Sequence, residues 1–551
     1  MRKVHVLAVV SLLVVAVRHK ARPLLDSHET AGSGALAPSD VPREPAPEVL
    51  APAAASTLER EVKLSAPIGF DLPVGKQVAG LTAGARTRVE LDATYFDVAD
   101  FRLARLGCTL RHRSDSGWTL KLPSSGTPGR GLSRHEIGLA GEPGEPPPQA
   151  LSLLRAHLRG NPLVPVAGLI TVREQVVLRD ASGVPQAEIV DDRVTVERAG
   201  VAVGTFRELE VELSASAPKT LLKKLEAALL AAGATASPQV PKLVQALGAA
   251  AAAPPEVFAR RLGTKPSAGE VVQAAIARSV ARYLMHDPGL VTGIDPEDVH
   301  QARVALRRLR SDLKTFSPLL DPSWSEGIAA EATWLATHLG AVRDAEVLRE
   351  RLEVAAAELP ESDREGIVGL LAHLDVARDE ARRALLMARD SDRFVTTMGL
   401  FVAAAQAPAL TTASTSPAKR TIPMLIRRPV RKAIATAKGL PQRPSDAQLH
   451  DLRKRAKRVR YAADVAGGVS GNRARARALA ASAARLQSVL GDHQDAAVMR
   501  AWLAATARDA TPMAAFVAGQ LHANQLDALN AGRRGWRSAW KALAAAASPF
   551  R

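Results

Sequence analysis

Two hydrophobic patterns divide the chain into a strand-like part and a helix-like part. Between residues 57 and 248, apolar and charged residues alternate over many short segments, such as residues 58–64, which is typical of half-buried β-strands. Between residues 268 and 545, apolar residues recur at helical spacing in long stretches rich in Ala, Leu and Arg. The patterns predict an α+β, multidomain protein with strands first and helices second.

Segments that follow neither pattern mark the expected domain limits. Residues 22–56 are rich in Pro and Ala, which is typical of a disordered tether. A run of alanines at 249–253 is followed by Pro254 and Pro255, which would end any helix. We therefore expect an N-terminal extension and linker at 1–56, a strand domain at 57–248, a second linker at 249–267 and a helical domain at 268–545.

The first apolar run of the chain, residues 6–17, is interrupted only by Ser11. It is too short for a membrane-spanning helix, which needs about 20 residues. Basic residues follow it directly, and no small-x-small cleavage site is present, which argues against a signal peptide. We expect a plain N-terminal extension, with a membrane anchor or a cleaved signal as the alternatives.

The charge of the chain indicates a polyanionic partner. Lys and Arg number 73 against 56 Asp and Glu, a net charge of +17. Residues 1–255 carry roughly +3 and residues 256–551 roughly +14, so the basic excess belongs to the helical part. The single cysteine, Cys108, excludes an internal disulfide framework and a cysteine-based zinc site. Aromatic residues make up 3% of the chain, too few for an extensive base-stacking surface.

Charged residues share faces of the predicted strands in clusters of like chemistry. Residues two apart in a strand point to the same side. This rule groups Glu59, Glu61 and Lys63; Arg111 and Arg113; Thr119 and Lys121; Arg134 and Glu136; and Glu208, Glu210 and Glu212. A solvated sheet face is the ordinary explanation of each segment. Together they indicate a site in which carboxylates bind Mg²⁺ or Mn²⁺ and bases bind phosphate oxygens.

This series of residues resembles the CYTH superfamily, the triphosphate tunnel metalloenzymes, over residues 57–248. The resemblance implies a closed antiparallel eight-stranded tunnel barrel that binds a triphosphate with Mg²⁺ or Mn²⁺. It implies that Glu59 and Glu61 hold the metal, with Glu208 and Glu210 on the facing wall, and that Lys63 and Asp191 are catalytic. Strand phase decides between Asp191 and its neighbour Asp192. The implied triphosphate-binding residues are Lys63, Arg111, Arg113, Lys121, Arg134, Arg173 and Lys242.

The helical part contains an internal repeat with a basic stripe in each copy. Five residues of the first copy, His300, Arg303, Arg307, Arg308 and Arg310, recur as His450, Arg453, Lys457, Arg458 and Arg460. Positions with spacings of three and four lie on one side of a helix, so each copy presents a row of bases. A solvated helix face is the ordinary explanation. Two such rows facing each other across a pseudo-two-fold axis would form a cationic trough suited to a chain of phosphates.

The repeated helix resembles the signature of the CHAD domain over residues 268–545. The resemblance implies an all-α pseudo-two-fold helical bundle that binds inorganic polyphosphate, with the ten repeated residues as ligands.

The leading hypothesis is a metal-dependent inorganic triphosphatase whose helical domain binds polyphosphate. One alternative is a non-catalytic protein that binds or localises polyphosphate. Another is a CYTH enzyme that acts on thiamine triphosphate or a nucleotide. Sequence-specific nucleic-acid binding is not expected, because no helix-turn-helix, zinc finger or RNP pattern is present. We expect a cytoplasmic protein associated with polyphosphate bodies; the sequence does not predict membrane association or oligomeric state.

Overall fold

The computed structural model describes residues 57–67, 69–73, 76–123, 132–237, 239–469 and 473–550. The expected N-terminal extension, including the apolar run at 6–17, lies outside the described residues. The side chain of Glu59 also lies outside what the structure describes.

The N-terminal domain is an antiparallel sheet with four helices packed on it. Its strands are β1 (Thr57–Ser65), β2 (Gln77–Val78), β3 (Leu81–Ala83), β4 (Thr87–Asp97), β5 (Thr109–Arg113), β6 (Gly117–Pro123), β7 (Leu132–Leu139), β8 (Val164–Arg179), β9 (Pro185–Arg198), β10 (Val201–Leu213) and β11 (Thr235–Ala236). Its helices are α1 (Arg102–Leu106), α2 (Pro148–Leu158), α3 (Thr220–Ala231) and α4 (Lys242–Leu247).

The strand pairing corrects the expected barrel. The sheet has eleven strands, and β2 and β11 each have one paired neighbour, so it is not the simple closed eight-stranded barrel that the resemblance implied. Eight of the strands pair in the order β8, β4, β5, β6, β7, β1, β10 and β9, and β9 also pairs with β8. The three short strands are additions: β2 and β3 extend from the end of β8, and β11 pairs with β1.

Strand alternation places two apolar clusters of this sheet on its outer side. In the first, Val62 and Leu64 of β1 pack with Leu209 and Val211 of β10 and with Leu225 of α3. The second joins β5 and β6 to α2. A third cluster joins β4, β8 and β9 to α4 and lies on the inner side, because Ala93 and Tyr95 pair with Arg113 and Arg111. The helices α2 and α3 thus cover the outer apolar faces, and the charged residues lie on the inner side with the third cluster.

The C-terminal domain is a helical bundle built from two copies of one unit. Its helices are α5 (Ala268–Thr292), α6 (Pro296–Thr315), α7 (Pro322–Ala356), α8 (Arg364–Asp390), α9 (Asp392–Gln406), α10 (Ala418–Lys438), α11 (Asp446–Gly467), α12 (Arg473–Thr506) and α13 (Pro512–Ala546).

Two reciprocal hydrogen bonds mark the pseudo-two-fold relation. The N–H of Ala268 donates to the carbonyl of Ser416 at 2.8 Å, and the N–H of Ala418 donates to the carbonyl of Pro266 at 2.9 Å. Each acceptor is the residue two positions before the other helix's first residue, so the starts of α5 and α10 exchange places under one rotation. Residues of the two copies are therefore related by an offset of 150 from α5–α6 to α10–α11.

A buried arginine joins the two domains. Arg389 of α8 is 1% exposed and forms an ion pair with Asp287 of α5. The same guanidinium donates to the carbonyl of Ser152 at 2.6 Å and to that of Leu153 at 3.4 Å, both in α2 of the sheet domain. Arg159, which follows α2, makes a bidentate pair with Glu256 of the linker at 2.8 and 2.7 Å. Within the described ranges, no helix is both long and apolar enough to span a membrane.

Candidate functional site

The inner side of the sheet encloses a cavity of about 270 Å³ that is lined by basic side chains from many strands. Strand β5, for example, contributes Arg111 and Arg113, which occupy alternate positions of the strand and so point to the same side. All seven residues that the sequence assigned to triphosphate binding line this one cavity: Lys63, Arg111, Arg113, Lys121, Arg134, Arg173 and Lys242. They come from five strands (β1, β5, β6, β7 and β8) and from the first residue of α4.

Carboxylates neutralise part of this positive charge where the adjacent strands β1 and β10 meet. Lys63 donates to Glu208 at 2.7 Å and also to Glu210. Lys242 lies 3.0 Å from Asp192, 3.1 Å from Glu208 and 2.6 Å from Glu210. Two lysines and three carboxylates therefore form one buried network at the end of the cavity where α4 begins.

Within this network, the pKa values of Glu208 and Glu210 are shifted in opposite directions. Burial raises the pKa of Glu208 by more than Lys242 and Lys63 lower it. Burial also opposes ionisation of Glu210, but Lys242, Lys63 and Arg173 outweigh it and hold the pKa of that carboxyl well below its ordinary value. Oε2 of Glu208 is buried and has no hydrogen-bond partner among the described residues. Glu210 is thus held ionised, and Glu208 has an unsatisfied oxygen.

The remaining bases are held by partners on neighbouring strands. Arg134 donates to Glu61 at 2.6 Å, and Lys121 lies 3.0 Å from Glu136. Arg111 reaches the hydroxyl of Tyr95 at 3.4 Å, and its buried Nε has no hydrogen-bond partner within the described ranges. Arg113 donates to Asp115 in the β5–β6 turn at 2.5 Å. Guanidinium donors that protein groups do not fully use are suited to phosphate oxygens.

Strand phase corrects the predicted catalytic role of Asp191. Asp191 faces away from the cavity and makes a bidentate pair with Arg207 at 2.8 and 2.7 Å. Asp192 lines the cavity, where Arg173 binds it at 2.9 and 2.7 Å. Successive residues of a strand point to opposite faces, and β9 pairs Asp192 with Glu208, which fixes which of the two points inward.

The placement of the predicted metal ligands is also corrected. Lys63 pairs with Glu210 and Glu61 with Glu212 in the ladder between β1 and β10, so these carboxylates lie on adjacent strands and not on facing walls. In the part of the chain that the structure describes, no group of three or more His, Cys, Asp or Glu is arranged to hold a metal ion. The donor chemistry fits a hard divalent cation, since carboxylates of Glu61, Asp192 and Glu210 line the cavity and Glu208 has an unsatisfied oxygen.

Several cavity residues were not singled out from the sequence. Thr109 and Thr171 line the cavity, each two residues before a predicted base. The alternation rule applied to β5 and β8 would have found the threonines. Asp97 is structural: it accepts backbone N–H groups of Val98, Leu103 and Ala104 at 2.6, 3.0 and 2.9 Å and so fixes the start of α1.

The helical domain brings the middles of its two basic stripes together. Arg307 of α6 donates to the hydroxyl of Tyr461 in α11 at 2.9 Å. Burial, followed by the charges of Arg453, Arg307 and Arg303, lowers the pKa of Lys457 to about 7. Arg303, Arg307 and Arg453 are near enough to Lys457 for their charges to add to the effect of burial, and these four residues form the trough centre.

Beside the trough, a glycine and an aspartate occupy equivalent positions in each of the two copies. A Cβ on Gly491 would lie 3.2 Å from the guanidinium of Arg453, and one on Gly340 would lie 3.9 Å from that of Arg303. Because glycine has no side chain, Arg303 has room to lie against α7 and Arg453 has room to lie against α12. Asp344 pairs with Arg303 at 3.0 Å, and Asp495 pairs with Arg351 at 3.3 Å.

The outer members of the stripes differ in how they are held. Arg308 forms an ion pair with Asp464 and lies over the ring of Tyr461. Arg460 donates to Gln487 at 3.4 Å, whereas Arg310 is exposed. Burial lowers the pKa of His300, and burial with the nearby Lys454, Arg453 and Lys457 lowers the pKa of His450 to about 4. Both histidines are therefore neutral at pH 7, which makes them hydrogen-bond donors and not permanent cations.

The comparisons with known proteins identify both domains. The family model of the CYTH domain matches residues 57–242, and that of the CHAD domain matches residues 274–504. The chain belongs to the family of proteins in which a CYTH domain is followed by a CHAD domain, as the sequence resemblance predicted. The exact limits 57–248 and 268–545 stay predictions.

The relatives cover most of the chain. Two uncharacterized proteins of Mycobacterium tuberculosis, from different strains, are each 34% identical over 485 residues, which is 82% of this chain and 89% of the relative. Among solved structures, PptA from Streptomyces chartreusis is 23% identical, with a TM-score of 0.43, and covers 50% of this chain and 99% of its own. The CHAD domain from the plant Ricinus communis is 26% identical, with a TM-score of 0.39, and covers 50% of this chain and 96% of its own.

Proposed function

We propose that the protein is a metal-dependent inorganic triphosphatase whose helical domain binds inorganic polyphosphate. The observation that carries the proposal is the convergence of seven basic residues from five strands and one helix on a single cavity that also contains carboxylates. This arrangement supplies donors for the oxygens of a short phosphate chain and carboxylate ligands for its metal.

In this proposal the bases position the substrate. Arg111, Arg113 and Lys121 on β5 and β6 bind one part of the phosphate chain, and Arg134 and Arg173 bind from neighbouring strands. Lys63 and Lys242 compensate Glu208 and Glu210 when no triphosphate is present. Because a bound triphosphate competes with these carboxylates for both lysines, its arrival frees carboxylate oxygens at the same end of the cavity.

Mg²⁺ or Mn²⁺ would be held by Glu61 and Glu210, with Glu59 and Glu208 as further predicted ligands. The ion would neutralise phosphate charge and help to position the attacking water. Asp192 replaces Asp191 as the proposed catalytic carboxylate, since it lines the cavity and can orient Arg173 or join the metal ligands.

The cavity favours inorganic triphosphate over the other triphosphates. Tyr95 is the one aromatic residue in its described lining, and its hydroxyl already accepts from Arg111. No stacked pair of rings is available there for a nucleobase or a thiazolium. The proposed substrate is therefore the phosphate chain without an organic group.

The test is phosphate release from tripolyphosphate with Mg²⁺ and with Mn²⁺. We expect metal-dependent release by the wild type and a loss of roughly 100-fold in Glu61→Gln, since the substitution removes a charge from the site and keeps its size. Glu174→Gln is the matched control, because Glu174 is a neighbour of Arg173 in β8 that points away from the cavity and pairs with Arg86. No release by the wild type with either metal would overturn the triphosphatase proposal.

The same experiment separates the alternatives. Hydrolysis of thiamine triphosphate or ATP in preference to tripolyphosphate would favour another CYTH activity. Binding of polyphosphate without any hydrolysis would favour a protein that only binds or localises the polymer. Displacement of polyphosphate by DNA at equal phosphate concentration would contradict a polyphosphate-specific trough. The association with polyphosphate bodies follows from the trough's function and stays a prediction.

A further inference from the structure

Because the helical domain is duplicated, each residue of one copy has a counterpart in the other with which its charge and partners can be compared. At the offset of 150, three bases of the first copy have basic counterparts in the second: Arg278 and Arg428, Arg282 and Lys432, and Arg308 and Arg458. They lie on α5 and α6 in the first copy and on α10 and α11 in the second. Each copy therefore carries a matched group of three cations flanking the trough.

In the first copy, acids from both copies compensate this group. Arg308 forms an ion pair with Asp464, which α11 contributes from the second copy. Asp312 is buried beside the group; burial raises its pKa to about 7, although Arg308 and Arg278 act in the opposite direction. The first group is therefore partly neutralised by the protein itself.

At the second group, both acids are replaced. The counterpart of Asp464 is Lys314, and the counterpart of Asp312 is Ala462. Arg458 thus faces a lysine where Arg308 faces an aspartate. The charge of Arg458, followed by partial burial and the charges of Lys432, Arg455 and Arg428, lowers the pKa of Lys314.

The second group also contains one more base than the first, and carboxylates neutralise little of its positive charge. Arg455 occupies the position of Ala305, and it pairs with Asp451 at 3.4 Å. Among the described residues, no carboxylate forms an ion pair with Lys314, Arg428, Lys432 or Arg458. In the part of the chain that the structure describes, Asp451 is the one carboxylate that pairs with any of these five cations on three helices. The cations repel one another, and a bound anion would relieve that repulsion.

We propose that Lys314, Arg428, Lys432, Arg455 and Arg458 form a second polyanion-binding site, which extends the trough on one side only. The inference rests on the proposed binding of polyphosphate. Lys314 lies seven residues beyond Arg307 on α6, about 10 Å along the helix. A long phosphate chain that occupies the trough reaches the cluster, whereas a chain confined to the trough centre does not.

Because of this asymmetry, the bound polymer extends out of the trough preferentially on the second side. On the first side, a phosphate has to displace Asp464 from Arg308 before it can bind. On the second side, Arg458 has no ion pair among the described residues, and only Arg455 has to leave a carboxylate, Asp451. The site therefore selects chains by length and directs them over α10 and α11.

The test is to give the second group the acid that the first group has. Lys314→Asp gives Arg458 the partner that Arg308 has, so the fold should be retained or stabilised. We expect long-chain polyphosphate to bind the full-length protein roughly tenfold more weakly, with the slope of log affinity against log salt reduced by about one. Lys541→Asp, an exposed lysine of α13 with the same change of charge, is the matched control and should bind almost as the wild type.

The outcomes distinguish this inference from the proposed function. If the wild type does not bind polyphosphate at all, polyphosphate binding itself is wrong. If the wild type binds and Lys314→Asp and Lys541→Asp lose affinity equally, only the general charge matters and the second site is wrong. Asp464→Lys provides the reciprocal measurement, because it removes the competitor of the first side and should strengthen binding of the long chain. Unchanged or weaker binding in a folded Asp464→Lys variant would contradict the proposed asymmetry.

Discussion

The side chain of Lys457 shows how the trough differs from an ordinary basic surface. A solvated lysine keeps its charge to high pH, but Lys457 is half-buried beside three arginines, and its pKa falls to about 7. The repeat places a base at this position in both copies, and Arg307 is its counterpart. The same sequence position therefore carries a permanent charge in one copy and a titrating charge in the other.

Lys457 predicts a pH dependence of both stability and binding. Its folded pKa lies below the ordinary value of 10.5, so between about pH 7 and that value the unfolded chain binds more protons, and its contribution to stability rises with pH. Bound polyphosphate favours the charged amine, so binding at pH 8 should take up a proton and weaken as the pH rises above 7. Calorimetry in two buffers with different ionisation enthalpies measures the uptake.

Lys457→Arg is the control for this prediction. Arginine keeps its charge throughout the range, so the variant should bind polyphosphate without the proton uptake at pH 8. An equal uptake in the wild type and in Lys457→Arg would assign the titration to another group.

At the scale of the element, the alternation of the strands decides which charges belong to the site. β9 contains two adjacent aspartates that chemistry alone does not distinguish. Its pairing with β8 and β10 places Asp192 with Arg173 and Glu208, and Asp191 with Arg207 on the other face. A shift of one residue in this register would reverse the two roles.

The two aspartates predict opposite phenotypes for the same substitution. Asp192→Asn should lower tripolyphosphate hydrolysis by roughly 100-fold, because it removes a charge that orients Arg173 and Lys242 in the cavity. Asp191→Asn should leave kcat close to the wild-type value and instead lower the free energy of unfolding, since it weakens a pair that holds Arg207. Steady-state kinetics and denaturant unfolding of both variants check this. A larger loss of kcat in Asp191→Asn would contradict the observed strand phase.

At the scale of the whole molecule, the sheet domain and the helical domain pack through groups that are buried between them. Arg389 connects Asp287 of the bundle to two carbonyls at the α2 turn of the sheet domain. Arg105 donates to the carbonyl of Pro254 at 2.9 and 2.7 Å, which fixes the linker to the sheet domain. The linker is thus held at several points and not only by its ends.

Arg389→Met should uncouple the domains. Removing the guanidinium leaves Asp287 buried without its cation, a change that typically costs about 3–5 kcal/mol. We expect a lower free energy of unfolding and faster limited proteolysis within residues 249–267. Arg393→Met removes an arginine four residues away that is exposed and pairs with Glu331 at the surface, so it should change neither. Equal proteolysis of both variants would show that Arg389 does not couple the domains.

Much of the fold and of the site could be predicted from local patterns. The period of two in the first part and the helical period in the second determine the order of strands and helices. The alternate spacing of Arg111 with Arg113 and of Glu208 with Glu210 puts each pair on one strand face whatever the tertiary arrangement. The repeated basic helix likewise predicts the duplication, because its residue types and spacing recur without reference to contacts.

Local sequence patterns are enough to establish which residues share a face of one element and which elements repeat. They do not establish which faces meet, because strand register and helix packing depend on contacts between residues far apart in the chain, and these exist only in the folded molecule. The fold placed Glu208 and Glu210 beside Lys63 on an adjacent strand, turned Asp192 inward in place of Asp191, and added β2, β3 and β11 to the expected eight strands. It also set Asp464 against Arg308 but Lys314 against Arg458, and this difference gives two equivalent sequence positions different chemistry.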